Sequence, residues 1–389
     1  MNKNRHLFFI GVTILLVLGI IVSAYSLVGG SSEDDVYNIS VVVENSQSEK
    51  WTSFIAGAES AAADYNAIID LVTTSEFENG DDEFSVIDDQ IINGANAVVT
   101  ELVSSEGTAE SIKDISGKAV LALTGTDAQT DVDIEGKFAT IAPDNYQIGR
   151  ALGNEVLLRH QTGLSEKRIG IICNRITTNA AKERLNGLFD VLRVKKATAV
   201  WCIILDKKAD TDKEPGNYEE SENSGQTGRD FLQSFGLSGE NIIENTLPEE
   251  NGYLVKETYK EKPVDILVAL DDESLQTSAE FFAEIENAFK TKSTAYKYET
   301  DKDGKLIRPI EIYGEGTSLR NISYLDRGKI VSMIVPNEFR MGYVAVEKAV
   351  AKLEHKLSPM EDETVEYRVI NQESVFKDDN QKYLFTTMQ

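Results

Sequence analysis

Short apolar runs alternate with amphipathic segments along most of the chain, beginning at Tyr37. The first run, residues 38–43, is β-branched and apolar on both faces, as expected of a strand inside a parallel sheet. The apolar positions between Trp51 and Tyr65 then have the spacing of one helical face. The same pattern predicts further strands at 68–72, 95–99 and 119–123 and further helices at 81–92 and 105–115. Strands that alternate with helices in this way predict a parallel, doubly wound sheet.

The alternation restarts after residue 145 and continues through most of the remaining chain. The predicted helices of this second round are 146–159, 179–192 and 338–353, and the predicted strands are 168–173, 199–205, 264–270, 310–313 and 330–335. Two rounds in a chain of 389 residues predict two similar α/β lobes, each with its own core. The polar segments 206–230 and 290–308 interrupt the second round, and we interpret both as surface insertions.

An uncharged apolar stretch of 22 residues, 7–28, precedes the alternating pattern. It is longer than the apolar core of a typical cleaved signal peptide and suits the roughly 20 residues that span a bilayer as a helix. Basic residues before it and acidic residues after it orient the bulk of the chain outward. We therefore predict a signal anchor over residues 1–36 and a single-pass protein of the cell membrane with an extracytoplasmic C-terminal domain. The alternative is cleavage beside Ala24, which would yield a secreted or periplasmic protein.

The net charge and the absence of catalytic motifs limit the classes of function that the sequence allows. The sequence has 65 acidic and 39 basic residues, and its net charge of -26 repels phosphate backbones, so we expect no nucleic-acid partner. It contains neither a phosphate-binding glycine loop nor a hydrolase nucleophile motif, and its three histidines are too scattered for a zinc site. We predict no cofactor, no metal and no enzymatic activity. Cys173 and Cys202 lie in apolar runs, which indicates two buried free thiols, with a disulfide as the alternative.

The segment 138–149, FATIAPDNYQIG, resembles the connection between the two lobes of type 1 periplasmic binding proteins, in particular the ribose- and galactose-binding group. Five further blocks resemble that group in the same order, at 57–62, 93–99, 179–188, 264–273 and 313–317. The resemblance spans about residues 37–353 and implies an α/β fold of two doubly wound parallel-sheet lobes joined by a three-stranded hinge. The N-terminal lobe would be 37–145 plus 337–364, and the C-terminal lobe 146–336 plus 365–389.

Ligands of doubly wound sheets bind at the carboxyl ends of the strands. In the N-terminal lobe these strand ends and the loop after the first strand provide the candidates Asn45, Gln47, Trp51, Glu101 and Thr124. In the C-terminal lobe the candidates are Arg184, Asp271 and Glu315. An aromatic residue such as Trp51 either stacks on the apolar face of a sugar or belongs to the core, and the sequence leaves both interpretations open.

The three C-terminal candidates match ligand-binding positions of the resembled family. Arg184 matches its arginine, and a forked guanidinium suits vicinal hydroxyls or a carboxylate. Asn179 is a good N-cap for the helix of Arg184, and this helix would present the arginine to a solvated cleft. Asp271 and Glu315 match acceptor positions, although acidic residues at strand ends also serve as caps.

Two departures from the family bear on the ligand. Thr124-Gly125 replaces the Asp-Arg pair that sugar binders usually carry after the fourth strand, and Pro336 replaces an acceptor near the last hinge. The resemblance still implies a receptor whose lobes close on a small polar, carbohydrate-like ligand, for an ABC permease or a membrane histidine kinase. An uncleaved anchor favours the kinase. The alternatives are an enzyme on the same scaffold and a LacI-type effector domain without its DNA-binding part.

Overall fold

The computed structural model describes residues 16–17, 36–128, 138–205, 228–244, 251–292 and 310–385. The predicted membrane segment lies outside these ranges except for Leu16 and Val17, and the two predicted polar insertions lie mostly outside them. Among the described residues, no helix combines the length and apolar character that crossing a bilayer requires. The membrane anchor therefore stays a prediction.

The first of two sheets has six strands, all paired in parallel. In chain order they are β1 (Tyr37–Val42), β2 (Ala67–Leu71), β3 (Ala97–Thr100), β4 (Val120–Thr124), β5 (Phe138–Pro143) and β12 (Glu363–Val365). Their spatial order is β2-β1-β3-β4-β5-β12, which is a doubly wound arrangement with its switch point between β1 and β3. The helices of this lobe are α1 (Thr52–Asp64), α2 (Gly80–Ile92), α3 (Ala109–Lys118) and α10 (Glu338–Glu354).

The second sheet has seven strands and repeats the same winding. Its strands are β6 (Ile169–Cys173), β7 (Ala199–Ile204), β8 (Ile242–Glu244), β9 (Ile266–Ala269), β10 (Glu311–Glu315), β11 (Ser332–Pro336) and β13 (Tyr367–Asn371). The spatial order is β8-β7-β6-β9-β10-β11-β13, and only β13 is antiparallel to its neighbour. The accompanying helices are α4 (Asn145–Arg159), α5 (Asn179–Val194), α6 (Gly228–Ser234), α7 (Asn251–Glu261), α8 (Asp272–Lys290), α9 (Leu319–Asp326) and α11 (Asp378–Leu384).

The central strands of each sheet are buried on both faces, which explains why strands such as β6 and β9 are apolar throughout. In β1, Ile39 and Val41 pack with α1 and α10, whereas Val42 points to the other face, which α2 and α3 cover. The second sheet is covered by α4 and α5 on one face and by α7, α8 and α9 on the other. Cys173 and Cys202 lie in this core, fully buried and unbonded to each other, which confirms the prediction of free thiols.

The chain passes between the two sheets three times. It leaves the first sheet after β5 through Asp144, returns after β11 through Asn337, and leaves again between β12 and β13 through Glu366. The Asn337 N–H donates to the Glu366 carbonyl oxygen at 2.9 Å, so two of the three crossings are joined by a hydrogen bond. The carboxyl ends of β5 and β11 therefore lie at the boundary between the sheets.

One predicted helix start and one predicted N-cap are wrong, for local reasons. The helix predicted from residue 105 begins at Ala109, because Gly107 has a φ of 72° and this left-handed backbone interrupts a right-handed helix. The N-cap of α5 is Thr178 and not Asn179, since the Thr178 side chain accepts the Ala181 N–H at 3.3 Å. Asn179 is instead the first residue inside the helix.

Candidate ligand-binding cleft

Two cavities lie where the carboxyl ends of the two sheets face each other. The smaller has a volume of about 70 Å³ and is lined by Lys50, Trp51, Glu101, Gly125, Pro143, Arg184, Asp271, Asp272, Glu315, Thr317, Pro336, Glu338 and Met341. The second has a volume of about 110 Å³ and shares Lys50, Trp51, Glu101, Arg184 and Asp271 with the first. Its other lining residues are Glu44, Leu102, Val103, Thr126, Asn174, Arg175, Thr178, Ala180, Ala181 and Leu270. A surface groove of about 430 Å³ is larger, but it opens beside Ile330 and Val331, at the opposite, amino end of β11. Because ligands of doubly wound sheets bind at strand carboxyl ends, we take the two cavities together as the cleft.

Five of the eight residues predicted from the sequence line this cleft. They are Trp51, Glu101, Arg184, Asp271 and Glu315. Asn45 and Gln47 are exposed in a turn beside the cleft, where Asn45 has a φ of 47° and its N–H donates to the Ser75 carbonyl oxygen. Thr124 is buried in β4, and its hydroxyl donates to the Thr100 carbonyl oxygen at 3.1 Å. The structure thus places these three side chains outside the cavity lining.

Arg184 is not a solvated cleft residue, because its guanidinium is already hydrogen-bonded to other residues of the protein. The residue is 9% exposed, and its Nε donates to Asn145 Oδ1 at 2.8 Å. Its Nη1 donates to the Leu270 carbonyl oxygen at 2.6 Å and to Glu315 Oε2 at 2.7 Å. This corrects the expectation of an arginine that waits in solvent for the ligand. Arg184 lines both cavities, and its Nη2 makes no hydrogen bond to another described residue.

Trp51 belongs to the core and also lines the cleft. It is 2% exposed, its Nε1 donates to the Glu44 carbonyl oxygen at 2.9 Å, and its ring packs edge-on against Phe54. One face of the indole is covered by the Lys50 ammonium, which lies 4.2 Å from the ring centroid. Lys50 also forms an ion pair of 3.2 Å with Glu101. A sugar ring therefore cannot stack on that face without displacing Lys50.

The Thr124-Gly125 departure has a structural explanation. Gly125 has a φ of 71°, a conformation that glycine adopts without strain. A Cβ added at this position would lie 2.7 Å from Glu101 Oε1, so the missing side chain leaves room for the Glu101 carboxylate. The space that a longer side chain would occupy after the fourth strand is thus occupied by an acid from the third.

Asp271 and its neighbour Asp272 serve the fold as well as the cleft. Asp271 caps α8 by accepting the Ser274 N–H at 2.9 Å, and it also accepts the Asn174 N–H at 2.7 Å. Asp272 Oδ1 accepts the N–H groups of Thr317 and Ser318 at 2.7 and 2.9 Å. Both carboxylates are therefore held by backbone donors.

Sequence reasoning missed Glu44, Lys50, Arg175 and Glu338, four charged residues of the cleft. Arg175 is 7% exposed and pairs with Glu44 at 2.6 Å, which joins the end of β6 to the loop after β1. Glu44, Arg175 and Glu338 each lie two residues after the end of a strand, so the rule of strand carboxyl ends could have found them. Lys50 lies farther along the same loop as Glu44, directly before Trp51.

The cleft is rich in carboxyl groups whose pKa values are raised by burial. Burial raises the pKa of Glu315 to about 7, against the attraction of Arg184. The pKa of Glu338 is raised well above its usual value by burial and by repulsion from Glu101 and Glu315. The described residues contain no group of three or more acidic, histidine or cysteine side chains arranged to hold a metal ion.

The two lobes touch across the cleft through the start of α5. The N–H groups of Asn179 and Ala180 donate to Ser105 Oγ at 2.9 Å and to Thr126 Oγ1 at 3.0 Å. The Ser105 N–H donates to the Thr177 carbonyl oxygen at 3.1 Å. Ion pairs Lys182–Glu106 and Arg175–Glu44 add to this contact. In this structure the two lobes are therefore in direct contact across the cleft.

Comparison with known families agrees with this architecture. The sequence model of a family described as "Periplasmic binding protein domain" matches residues 39–236, just over half of the 389-residue chain. The chain therefore belongs to this family of substrate-binding domains, which implies a location outside the cytoplasm. A comparison with curated protein sequences gave no significant match.

Solved structures show the same fold at low sequence identity. A carbohydrate transporter solute-binding protein from Agrobacterium radiobacter, in complex with D-arabinose, is 12% identical with a TM-score of 0.65, and the match covers 91% of this chain and all of that one (100%). GanP, a glucose-galactose binding protein from Geobacillus stearothermophilus, is 16% identical with a TM-score of 0.62, covering 88% and 100%. A chain of the XylFII-LytSN complex is 15% identical with a TM-score of 0.61, covering 87% and 99%. At these identities the likeness shows the fold alone.

Proposed function

We propose that this protein is an extracytoplasmic receptor that closes its two lobes on a small polar, carbohydrate-like ligand. The observation that carries the proposal is the cleft itself, in which charged side chains from the carboxyl ends of both sheets surround shared cavities. Support also comes from the sugars bound by structurally similar proteins, D-arabinose among them. Because the ligand contacts both lobes, its binding favours the closed arrangement. The fraction of closed receptor therefore rises with ligand concentration.

The proposal assigns the lobes and the ligand contacts. The N-terminal lobe is 37–145 plus 337–364, and the C-terminal lobe is 146–336 plus 365–389. Glu101, Arg184 through its Nη2, Asp271 and Glu315 contact the ligand from the two sides of the cleft. Trp51 contributes its edge, since Lys50 covers one of its faces.

In this proposal a membrane partner recognises the closed form. That partner is an ABC permease or a histidine kinase. Residues 1–36 hold the protein at the membrane. A receptor that is tethered there suits a sensor partner, because the two can stay associated. N-terminal sequencing of protein from the membrane fraction tests the tether and should find the intact start at Met1. A mature protein that begins near Tyr25 in the soluble fraction would contradict it.

A thermal-shift panel tests the receptor function directly. Full-length protein in mild detergent is screened against pentoses, hexoses, inositols and their amino derivatives, and calorimetry follows for each compound that raises Tm. Glu101→Gln, which replaces a cleft carboxylate that is partly exposed, should weaken binding by about tenfold, the scale of one charged hydrogen bond.

The matched control is Glu361→Gln, an exposed carboxylate outside the cavity lining. It should leave the affinity unchanged. The proposal fails if no compound of the panel binds, or if Glu101→Gln and the control bind equally well.

A further inference from the structure

The cationic side chains of the cleft already form ion pairs within the protein. Each of the three cationic side chains in the lining has its own carboxylate partner: Lys50 pairs with Glu101, Arg175 with Glu44, and Arg184 with Glu315. A ligand that enters this cleft therefore meets no unpaired cation among the described residues. Anionic ligands would have to break one of these ion pairs in order to bind.

Two carboxyl groups in the smaller cavity have acceptor capacity left over. Glu315 is 6% exposed and uses Oε2 for Arg184, whereas its Oε1 accepts no hydrogen bond from another described residue. Glu338 lines the same cavity and makes neither a hydrogen bond nor an ion pair with another described residue. Glu338 is half-buried, and a cavity carboxylate that accepts from no described donor is available to a donor of the ligand.

The two acids come from opposite lobes. Glu315 ends β10 of the second sheet, and Glu338 begins α10, which packs on the first. Their negative charges oppose closure of the cleft when both are ionised. A ligand with a positive charge between them would remove this repulsion and supply the missing donors at the same time.

We infer that the ligand of this receptor carries a protonated amine, and that Glu315 Oε1 and Glu338 hold this amine between the two lobes. The ligand class is thus an amino sugar or an aminopolyol rather than a neutral sugar. The inference rests on the proposed receptor function and specifies which small polar molecule it binds. The three donor hydrogens of an ammonium group match the spare acceptors of the two carboxylates.

The charged groups around Glu315 and Glu338 determine how ligand affinity depends on pH. Glu338 faces Lys50 and Glu101 of the first lobe and Arg184 and Glu315 of the second, and Glu315 also faces Asp271 and Asp272. The raised pKa values mean that this pair carries a proton near neutral pH in the free protein, with the pKa of Glu315 at about 7. An ammonium group binds the ionised pair, so it displaces that proton, and its affinity rises as pH increases through about 7.

Matched amine and hydroxyl compounds test the inference. Calorimetry on the full-length protein compares glucosamine with glucose and 1-amino-1-deoxysorbitol with sorbitol. We expect each amine to bind at least about tenfold more tightly than its hydroxyl counterpart, as close interfacial charge pairs do. Measurements in two buffers of different ionisation enthalpy should show proton release on binding of the amines only.

Glu338→Gln is the decisive variant, because it removes the charge without removing any hydrogen bond within the described protein. It should reduce the preference for amines to about threefold or less and abolish the proton release. Glu354→Gln, an exposed position at the other end of the same helix, is the control and should keep both properties.

Several outcomes overturn the inference while leaving the receptor function intact. One is binding of the neutral sugars as tightly as the amines. Another is neutral-sugar affinity that increases as pH falls, which would mean that the acid pair shares a proton and donates to a hydroxyl. An undiminished amine preference in Glu338→Gln also contradicts it. Failure of every sugar and every amine to bind counts against both the inference and the receptor function.

Discussion

Arg184 joins three elements at the centre of the second lobe. Its guanidinium bonds to Asn145 at the start of α4, to the carbonyl of Leu270 after β9 and to Glu315 at the end of β10. These three bonds fix the orientation of the guanidinium. A residue that resembles a ligand contact in the sequence is therefore also a structural strut, and its removal affects folding as well as binding.

Replacing Arg184 by methionine tests this dual role without any ligand. The change leaves the buried Glu315 carboxylate without its ion pair, so the free energy of unfolding should fall by about 3–5 kcal/mol. The measurement is urea unfolding followed by circular dichroism. Arg193→Met, at an exposed arginine near the end of the same helix, should change stability by about 0.5 kcal/mol or less. Equal stability of the two variants would show that the strut contributes nothing.

At the scale of elements, each lobe contains one pair of helices in very close contact through glycines. In the first lobe, an added Cβ at Gly342 of α10 would overlap the Phe54 carbonyl of α1, and one at Gly57 of α1 would overlap the Phe339 carbonyl of α10. In the second lobe, α4 and α5 make the same reciprocal contact through Gly149 and Gly187. Since α10 and α4 each follow a crossing between the lobes, these contacts hold the hinge ends against their sheets.

Gly342→Ala should lower the free energy of unfolding by about 2–3 kcal/mol, because the obstructing atoms belong to backbone and cannot rotate away. Thermal unfolding of the variant measures the loss. Gly117→Ala is the matched control, since that exposed glycine of α3 has no atom within 4 Å of an added Cβ. It should raise the free energy of unfolding by about 0.5–1 kcal/mol. Destabilisation of the same size in both variants would rule out close packing as the cause.

For the whole molecule, the important equilibrium is between open and closed lobes. The hydrogen bonds of α5 with Ser105 and Thr126 join groups of the two lobes, so these protein contacts contribute to the closing free energy. The acidic pair of Glu315 and Glu338 acts against closure, and a ligand shifts the balance by its preference for the closed form. A change in either contribution should therefore shift the balance between the open and closed arrangements.

The double variant Ser105→Ala, Thr126→Val should shift this equilibrium toward the open form. Two hydrogen bonds of about 1 kcal/mol each change the ratio of closed to open molecules by a factor of about 30. Small-angle X-ray scattering should show a larger radius of gyration for the ligand-free variant, and ligand affinity should fall with the closed population. Ser116→Ala, which removes a hydroxyl bond inside α3, is the control. An unchanged radius would mean that these two bonds do not hold the lobes together.

The sequence alone determined the winding of both sheets and most of the cleft's position. Alternating apolar runs specify strands such as 38–43 because a strand buried on both faces must be apolar throughout. Strand carboxyl ends then located Trp51, Glu101, Asp271 and Glu315, because parallel strands place these ends on one edge, whereas Arg184 was located by the resemblance to the family. Local pattern suffices for such features because each depends on a few neighbouring residues.

Only the tertiary structure decided how those residues are used. The pairing of Arg184 with Glu315, the cover of Lys50 on Trp51 and the room that Gly125 leaves for Glu101 all join segments that are far apart in the chain or depend on side-chain direction. The unpaired state of Glu338 could not be predicted either, because it depends on which donors the other lobe fails to supply. Charge balance in an enclosed cleft is a property of the folded arrangement, since water screens the same charges when the chain is unfolded.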